Sequence, residues 1–216
     1  MLMKPATLVL AAAAAVVSVG CANPERSRDV ANPAVSASVM ALQVCSNCHG
    51  VTGSSVSPNF PNLAGQTETY FVAQLNGFRS HGRRDPAGFE YMWGLSRSLT
   101  DEQIKGLAAY YASQSPETQK IEGDRSRIES GKTIFANGVA DTGVPACSTC
   151  HGLEAKGNAT FPRLAGQHAD YVVKQLLVFQ RTDERPEGVV MKVVAHKLSG
   201  QNIEDVAIYL QALPGL

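Results

Sequence analysis

The chain has no charge imbalance, no apolar run of membrane length and only five cysteines. Each shortage narrows what it can be. Lysine plus arginine and aspartate plus glutamate number 19 each, so the formal net charge is zero. Proteins that grip nucleic acid by its phosphates concentrate positive charge, and this balance gives no sign of such a partner. The longest apolar run, residues 6–20, is too short and too alanine-rich for a bilayer span, which needs about 20 residues. It follows Lys4 and predicts a secretory signal over residues 1–22. Two endings fit that leader. Ser18-Val19-Gly20-Cys21 resembles a lipobox, which would leave Cys21 lipid-modified and attached to the membrane. Cleavage after Ala22, with Gly20 and Ala22 as the small residues, would discard Cys21.

The other four cysteines fall into two motifs, Cys45-Ser46-Asn47-Cys48-His49 and Cys147-Ser148-Thr149-Cys150-His151. Each reads C-x-x-C-H, the attachment signal for c-type haem. Two thiols one helical turn apart can add to the two vinyl groups of one porphyrin, and the next histidine then offers its imidazole to the iron. A zinc site would use both pairs on one metal and leave His49 and His151 unexplained. A thioredoxin-like pair needs no following histidine. Two covalently bound haem c groups are therefore expected. Haem attachment of this type accompanies export, which agrees with the leader and predicts a periplasmic protein.

The chain also repeats itself. Phe60-Pro61-Asn62-Leu63-Ala64-Gly65-Gln66 returns as Phe161-Pro162-Arg163-Leu164-Ala165-Gly166-Gln167, six of seven residues identical. Tyr70, Gln74, Leu75 and Phe78 match Tyr171, Gln175, Leu176 and Phe179. Tyr, Leu and Phe at those steps share one helix face, read as core packing. A helix over 34–44 with Val35, Val39 and Leu42 on its apolar face would deliver Cys45. Thr100 and Gln103 form a capping box before the stripe Ile104, Leu107, Ala108, Tyr111. Ser199 is the N-cap before Ile203, Val206, Ala207 and Leu210. The expected organisation is a tether at 23–33, a domain at 34–115, a linker at 116–126 and a second domain at 127–216, with an extra loop at 136–146. Domains this small lack a self-sufficient core, and a haem would complete each.

Methionine is scarce after the leader, with only Met40, Met92 and Met191. Met40 precedes Cys45 on the same helix and would not reach the far side of the haem. Met92 and Met191 follow their histidines by 43 and 40 residues, at matching places in the repeat. They are the expected sixth ligands, opposite His49 and His151. His81, His168 and His196 have no counterpart in the other half and read as surface or structural residues. Arg79, Arg83 and Arg185 would neutralise buried propionates or form a solvated basic loop.

The N-terminal helix, C-x-x-C-H, the Pro61-Asn62-Leu63 segment, the later methionine and the closing helix together resemble class I cytochrome c. Two tandem copies in an exported chain are similar to the dihaem cytochrome c4 family. The resemblance implies an all-α fold of two small helical domains, each wrapped around a haem. It also implies that the carbonyls of Pro61 and Pro162 accept hydrogen bonds from the proximal histidines. By function it implies an electron carrier, not an enzyme. Its donor would be a quinol-oxidising complex or a periplasmic dehydrogenase, and its acceptor a terminal oxidase. The alternatives are an electron-accepting subunit of a larger oxidoreductase, or a dihaem peroxidase or thiosulfate-oxidising enzyme. One departure stands out. The pair Gly131 and Phe135, spaced Gly-x-x-x-Phe in the first helix of the second half, is missing from the first half.

Overall fold

The computed structural model describes residues 23–86, 88–117 and 124–213. The leader with Cys21, the cleavage site after Ala22 and residues 118–123 of the expected linker lie outside them. Among the described residues the regular structure is helical, with two isolated β-bridges at Val139–Val144 and Asn158–Phe161. No described helix is long and apolar enough to cross a membrane.

In the first half, α1 (Ala37–Met40) runs through a π-helical turn (Ala41–Cys45) into α2 (Ser46–His49). Then come α3 (Glu68–Arg79), a second π-helical turn (Gly88–Met92), α4 (Trp93–Ser96) and α5 (Asp101–Ala112). The second half repeats the order as α6 (Arg125–Asn137), α7 (Ser148–His151), α8 (Ala169–Arg181), α9 (Val189–Ala195) and α10 (Gly200–Ala212). Local chemistry explains the boundaries. Ser36 Oγ accepts from Val39 N–H to start α1. Thr100 and Gln103 cap α5 reciprocally, and Ser199 and Asn202 do the same for α10. Each box satisfies N–H groups that a helix start leaves unpaired.

Each half builds its own core. Phe71, Leu75 and Phe78 of α3 meet Ile104, Leu107 and Tyr111 of α5. Val172, Leu176 and Phe179 of α8 meet Ile203, Val206 and Leu210 of α10. Steps of three and four put these residues on one stripe, which is the face that buries. The N-terminal helix of each half crosses the C-terminal one, and here the halves differ. A Cβ on Gly131 of α6 would stand 2.0 Å from the Asp205 carbonyl oxygen and 2.7 Å from Tyr209 Cβ. In the first half the small residue sits on the opposite helix, where a Cβ on Gly106 of α5 would stand 2.7 Å from Ala37 Cβ. The absent glycine of α1 is thus replaced by one on α5.

Two expectations change. Val35 is buried but precedes α1, and Leu42 is 44% exposed, so Met40 and Ala41 carry the buried face instead. Residues 79–90 and 180–188, rich in Arg, Gly and Pro and expected as loops leading to the methionines, are partly helical: Gly88–Met92 forms a π-helical turn and Pro186–Gly188 a 3-10 turn. Gln74 and Gln175, matched in the repeat, face the opposite domain and are buried there.

The two domains meet across an approximate two-fold relation that the repeat itself creates. Gln66 Nε2 donates to Arg163 O at 3.1 Å, and Gln66 Oε1 accepts from Arg163 N–H at 2.7 Å. Gln167 makes the reciprocal pair with Asn62, at 3.0 and 2.8 Å. His168, buried, joins the same contact through Nε2 to Ser55 O at 2.9 Å, so it is an interdomain residue. Gln66→Ala would strip both partners from the Arg163 backbone. A cost of about 1–3 kcal/mol is expected, read by chemical denaturation of the holoprotein. An effect below about 0.5 kcal/mol would mean that water replaces the amide without loss.

Candidate functional site

The two C-x-x-C-H motifs fold alike because each spans a helical turn. Cys45 ends the π-helical turn and Cys48 and His49 lie on α2, while Cys147 caps α7 and Cys150 and His151 lie on it. Turn spacing puts both thiols of a pair on one side of the helix. All four thiols are free. Burial pushes the Cys45 and Cys147 thiols up to about 11. Among the described residues, no three or more His, Cys, Asp or Glu side chains gather as a metal cage.

The imidazoles are buried and held from behind. His49 Nδ1 lies 2.9 Å from Pro61 O, and His151 Nδ1 lies 3.0 Å from Pro162 O. A carbonyl can only accept, so each Nδ1 carries the proton and each Nε2 keeps its lone pair for a metal. Burial lowers both imidazoles from their ordinary value, and the hydrogen bond to the prolyl carbonyl only partly offsets it. A ring edge packs on each: Phe60 at 6.2 Å from His49 and Phe161 at 6.1 Å from His151, between centroids. Met92 and Met191 each pack, partly buried, against the core of their own domain. Ser96 Oγ donates to Met92 O at 2.6 Å and fixes the methionine backbone.

Between the domains lies a polar cluster that the sequence reading did not assemble. Arg83 Nη1 donates to Gln74 Oε1 and Arg185 Nη1 to Gln175 Oε1, both at 2.6 Å. Each guanidinium also reaches across, Arg83 to Gln175 at 3.2 Å and Arg185 to Gln74 at 3.0 Å. Each lies over a phenylalanine of its own domain, Phe78 at 4.5 Å and Phe179 at 4.6 Å from the centroid. The carboxylates are less symmetric. Asp85, fully buried, pairs with Arg83 at 2.7 Å, whereas Glu187, the partner of Arg185 at 2.8 Å, is 38% exposed. Arg79 stands apart on the surface, paired with Asp101. The available signal was the recurrence of Gln74, Arg83 and Asp85 as Gln175, Arg185 and Glu187, which helical period does not join because the arginines and acids lie beyond the ends of α3 and α8.

These residues fit haem c. Each half supplies two free thiols, an imidazole with its metal-binding nitrogen unprotonated, and a matched methionine. Arg163, next to the carbonyl that holds His151, is buried with Nε and Nη2 unpartnered. Burial lowers its guanidinium from the ordinary value. A buried cation without an acceptor suits a group that brings carboxylates.

The sequence model of the family described as cytochrome c matches residues 37–115 and 128–214. The chain is 37% identical over 179 residues to cytochrome c4 of Azotobacter vinelandii, spanning 79% of this chain and 84% of that protein. The solved structure of Acidithiobacillus ferrooxidans cytochrome c4 superposes with a TM-score of 0.73 at 38% identity, over 78% of this chain and 98% of that one. A thiosulfate dehydrogenase electron acceptor of Thiomonas intermedia is 29% identical over 174 residues, spanning 79% of this chain and 78% of that protein.

Proposed function

Because this chain belongs to the cytochrome c family, in its dihaem cytochrome c4 branch, we propose that it carries electrons in the periplasm from a quinol-oxidising complex or a dehydrogenase to a terminal oxidase. The protein is a dihaem electron-transfer cytochrome with two covalently attached haem c groups. Cys45 and Cys48 hold one haem, and Cys147 and Cys150 hold the other. Each haem iron supplies the chemistry, a reversible one-electron change. The chain's residues keep that change small in structural cost. Pro61 fixes His49 and Pro162 fixes His151 through the Nδ1–H donated to each carbonyl, so the proximal ligands do not swing. Met92 and Met191 would hold the irons together with His49 and His151, which would leave no site for oxygen, peroxide or a small substrate.

The observation that carries this reading is the duplicated pair: a carbonyl-anchored buried imidazole and a matched methionine in each half. The interdomain hydrogen bonds of Gln66 and Gln167 hold the two redox sites at a fixed relation. A lipid on Cys21 would keep the carrier near membrane partners. Likeness to the Thiomonas electron acceptor favours a second reading, in which the chain accepts electrons as a subunit of a larger dehydrogenase.

The test is the oxidised holoprotein's far-red methionine-to-iron charge-transfer band. Two haems' worth of intensity is expected, with half lost in Met92→Ala and half in Met191→Ala. One haem's worth in the parent, together with carbon monoxide binding by the untreated reduced protein, would mean an open iron and an enzyme.

A further inference from the structure

The two methionine segments are held by different chemistry. In the first domain the His81 ring lies between two aromatic rings that bracket Met92 in sequence. Its centroid is 5.4 Å from Phe89 at 17° and 4.8 Å from Trp93 at 20°, both stacked. Arg97 adds a fourth layer, its guanidinium carbon 5.4 Å from the Trp93 centroid. His81 takes a left-handed backbone, φ 61°, just past the end of α3, and its N–H donates to Phe78 O at 3.0 Å. That conformation is rare for a residue with a Cβ. Here it carries the ring off α3 and onto the Met92 segment. Its Nε2 is buried without a hydrogen-bonding partner, so the ring is placed by stacking and not by a polar contact.

Among the described residues the second domain keeps none of these layers: Gly188 matches Gly88, each packed on its domain's phenylalanine, so Thr182, Val189, Lys192 and His196 stand where the first domain has His81, Phe89, Trp93 and Arg97. Instead, Lys192, next to Met191, pairs with Asp183, and His196 Nδ1 lies 2.8 Å from Lys192 O. Asp183 is exposed and the Lys192 side chain is about one-third exposed.

We propose that His81 is a positioning residue for the first haem's methionine: its ring, clamped by Phe89 and Trp93, holds the Met92 segment in place. At the same point, among the described residues, the Met191 segment carries the exposed Lys192–Asp183 pair in place of stacked rings, while Gln180 Nε2 holds its far end at Ala195 O and Leu198 O. This inference rests on the assignment of Met92 and Met191 as sixth ligands. It makes the second haem the one whose methionine is more readily displaced, and the one that responds to ionic strength.

The experiment is displacement of methionine by added imidazole in the oxidised holoprotein, followed by the methionine methyl proton signals in paramagnetic NMR. Met92→Ala and Met191→Ala assign each signal to its haem. His81→Asn removes the ring while tolerating the left-handed backbone, and His81→Phe keeps a flat ring. In His81→Asn the first haem's apparent affinity for imidazole should rise about tenfold, since two stacked pairs are lost. His81→Phe should restore the parent value, and the second haem should not change in either. Raising salt from low to molar should ease displacement at the second haem only, because exposed pairs are screened. Phe89→Leu, which leaves the backbone of residue 81 alone, should move the first haem in the same direction as His81→Asn. An unchanged first haem in His81→Asn, or His81→Phe behaving as His81→Asn, overturns the proposal alone. A first-haem signal that survives Met92→Ala overturns the ligand assignment, and the proposal with it.

Discussion

Asp85→Ala is expected to cost about 3–5 kcal/mol of stability, the loss typical when one member of a buried ion pair is removed. Asp85 is fully buried and Arg83 nearly so, with Nε to Oδ1 at 2.7 Å and Nη2 to Oδ2 at 3.3 Å. Without the carboxylate, the Arg83 charge stays buried against two glutamine amides and a phenylalanine face. The loss should appear in chemical denaturation as instability of the domain contact as well as of the first domain, because Arg83 also holds Gln175. Asp85→Asn adds a pH signature. Burial alone would push the carboxyl up, but the hydrogen bonds and charge of Arg83, with the charge of Arg185, outweigh it and hold the carboxyl below its usual value. A folded pKa below the unfolded one gives stability that is complete above about pH 4 and is lost as the pH falls through the folded value. The gap between parent and Asp85→Asn is therefore largest at neutral pH and narrows in acid. A gap that stays constant down to about pH 3 would show that the pair contributes nothing through its charge.

Gly131→Ala carries the second large effect. The added Cβ would stand 2.0 Å from a carbonyl oxygen and 2.6 Å from its carbon, both backbone atoms of Asp205 that no rotamer change can move. Alanine is the better helix former by about 1 kcal/mol, yet the crossing of α6 and α10 must open, and the net loss should reach or exceed about 3 kcal/mol. Gly106→Ala meets only the methyl of Ala37 and should cost less. Unfolding of the holoprotein followed at each haem separates the two: Gly131→Ala should weaken the second domain first. Equal and small effects at both sites would mean that the helices slide apart freely, contrary to the close crossing seen here.

Much of the fold was legible because its signals are local. The capping boxes at Thr100 and Ser199 depend on residues three apart, and the stripes of α5 and α10 depend on helical period. The repeat was equally plain, and it marked Met92 and Met191 as a pair by position alone. The helical character of the Met191 segment was not legible, since Pro186 and Gly188 read as loop and the valines of α9 carry no amphipathic pattern. The glycine of the first helix crossing was missed for another reason. A close approach of two helices asks for a small residue on either one, and the sequence does not say which.

The sequence by itself determined the two C-x-x-C-H motifs, the two-domain repeat and the helices that carry them. These follow from motif spacing and periodicity within each half. The tertiary structure alone decided how the halves meet. Gln66 and Gln167, just before α3 and α8, and Gln74 and Gln175, on those helices, bond across the interface. Asp85 becomes fully buried while its counterpart Glu187 stays part-exposed, and His81 finds its two aromatic partners. The reason is physical: a hydrogen bond or an ion pair between distant segments leaves no period in the sequence, and its partner is chosen only when both surfaces are in place.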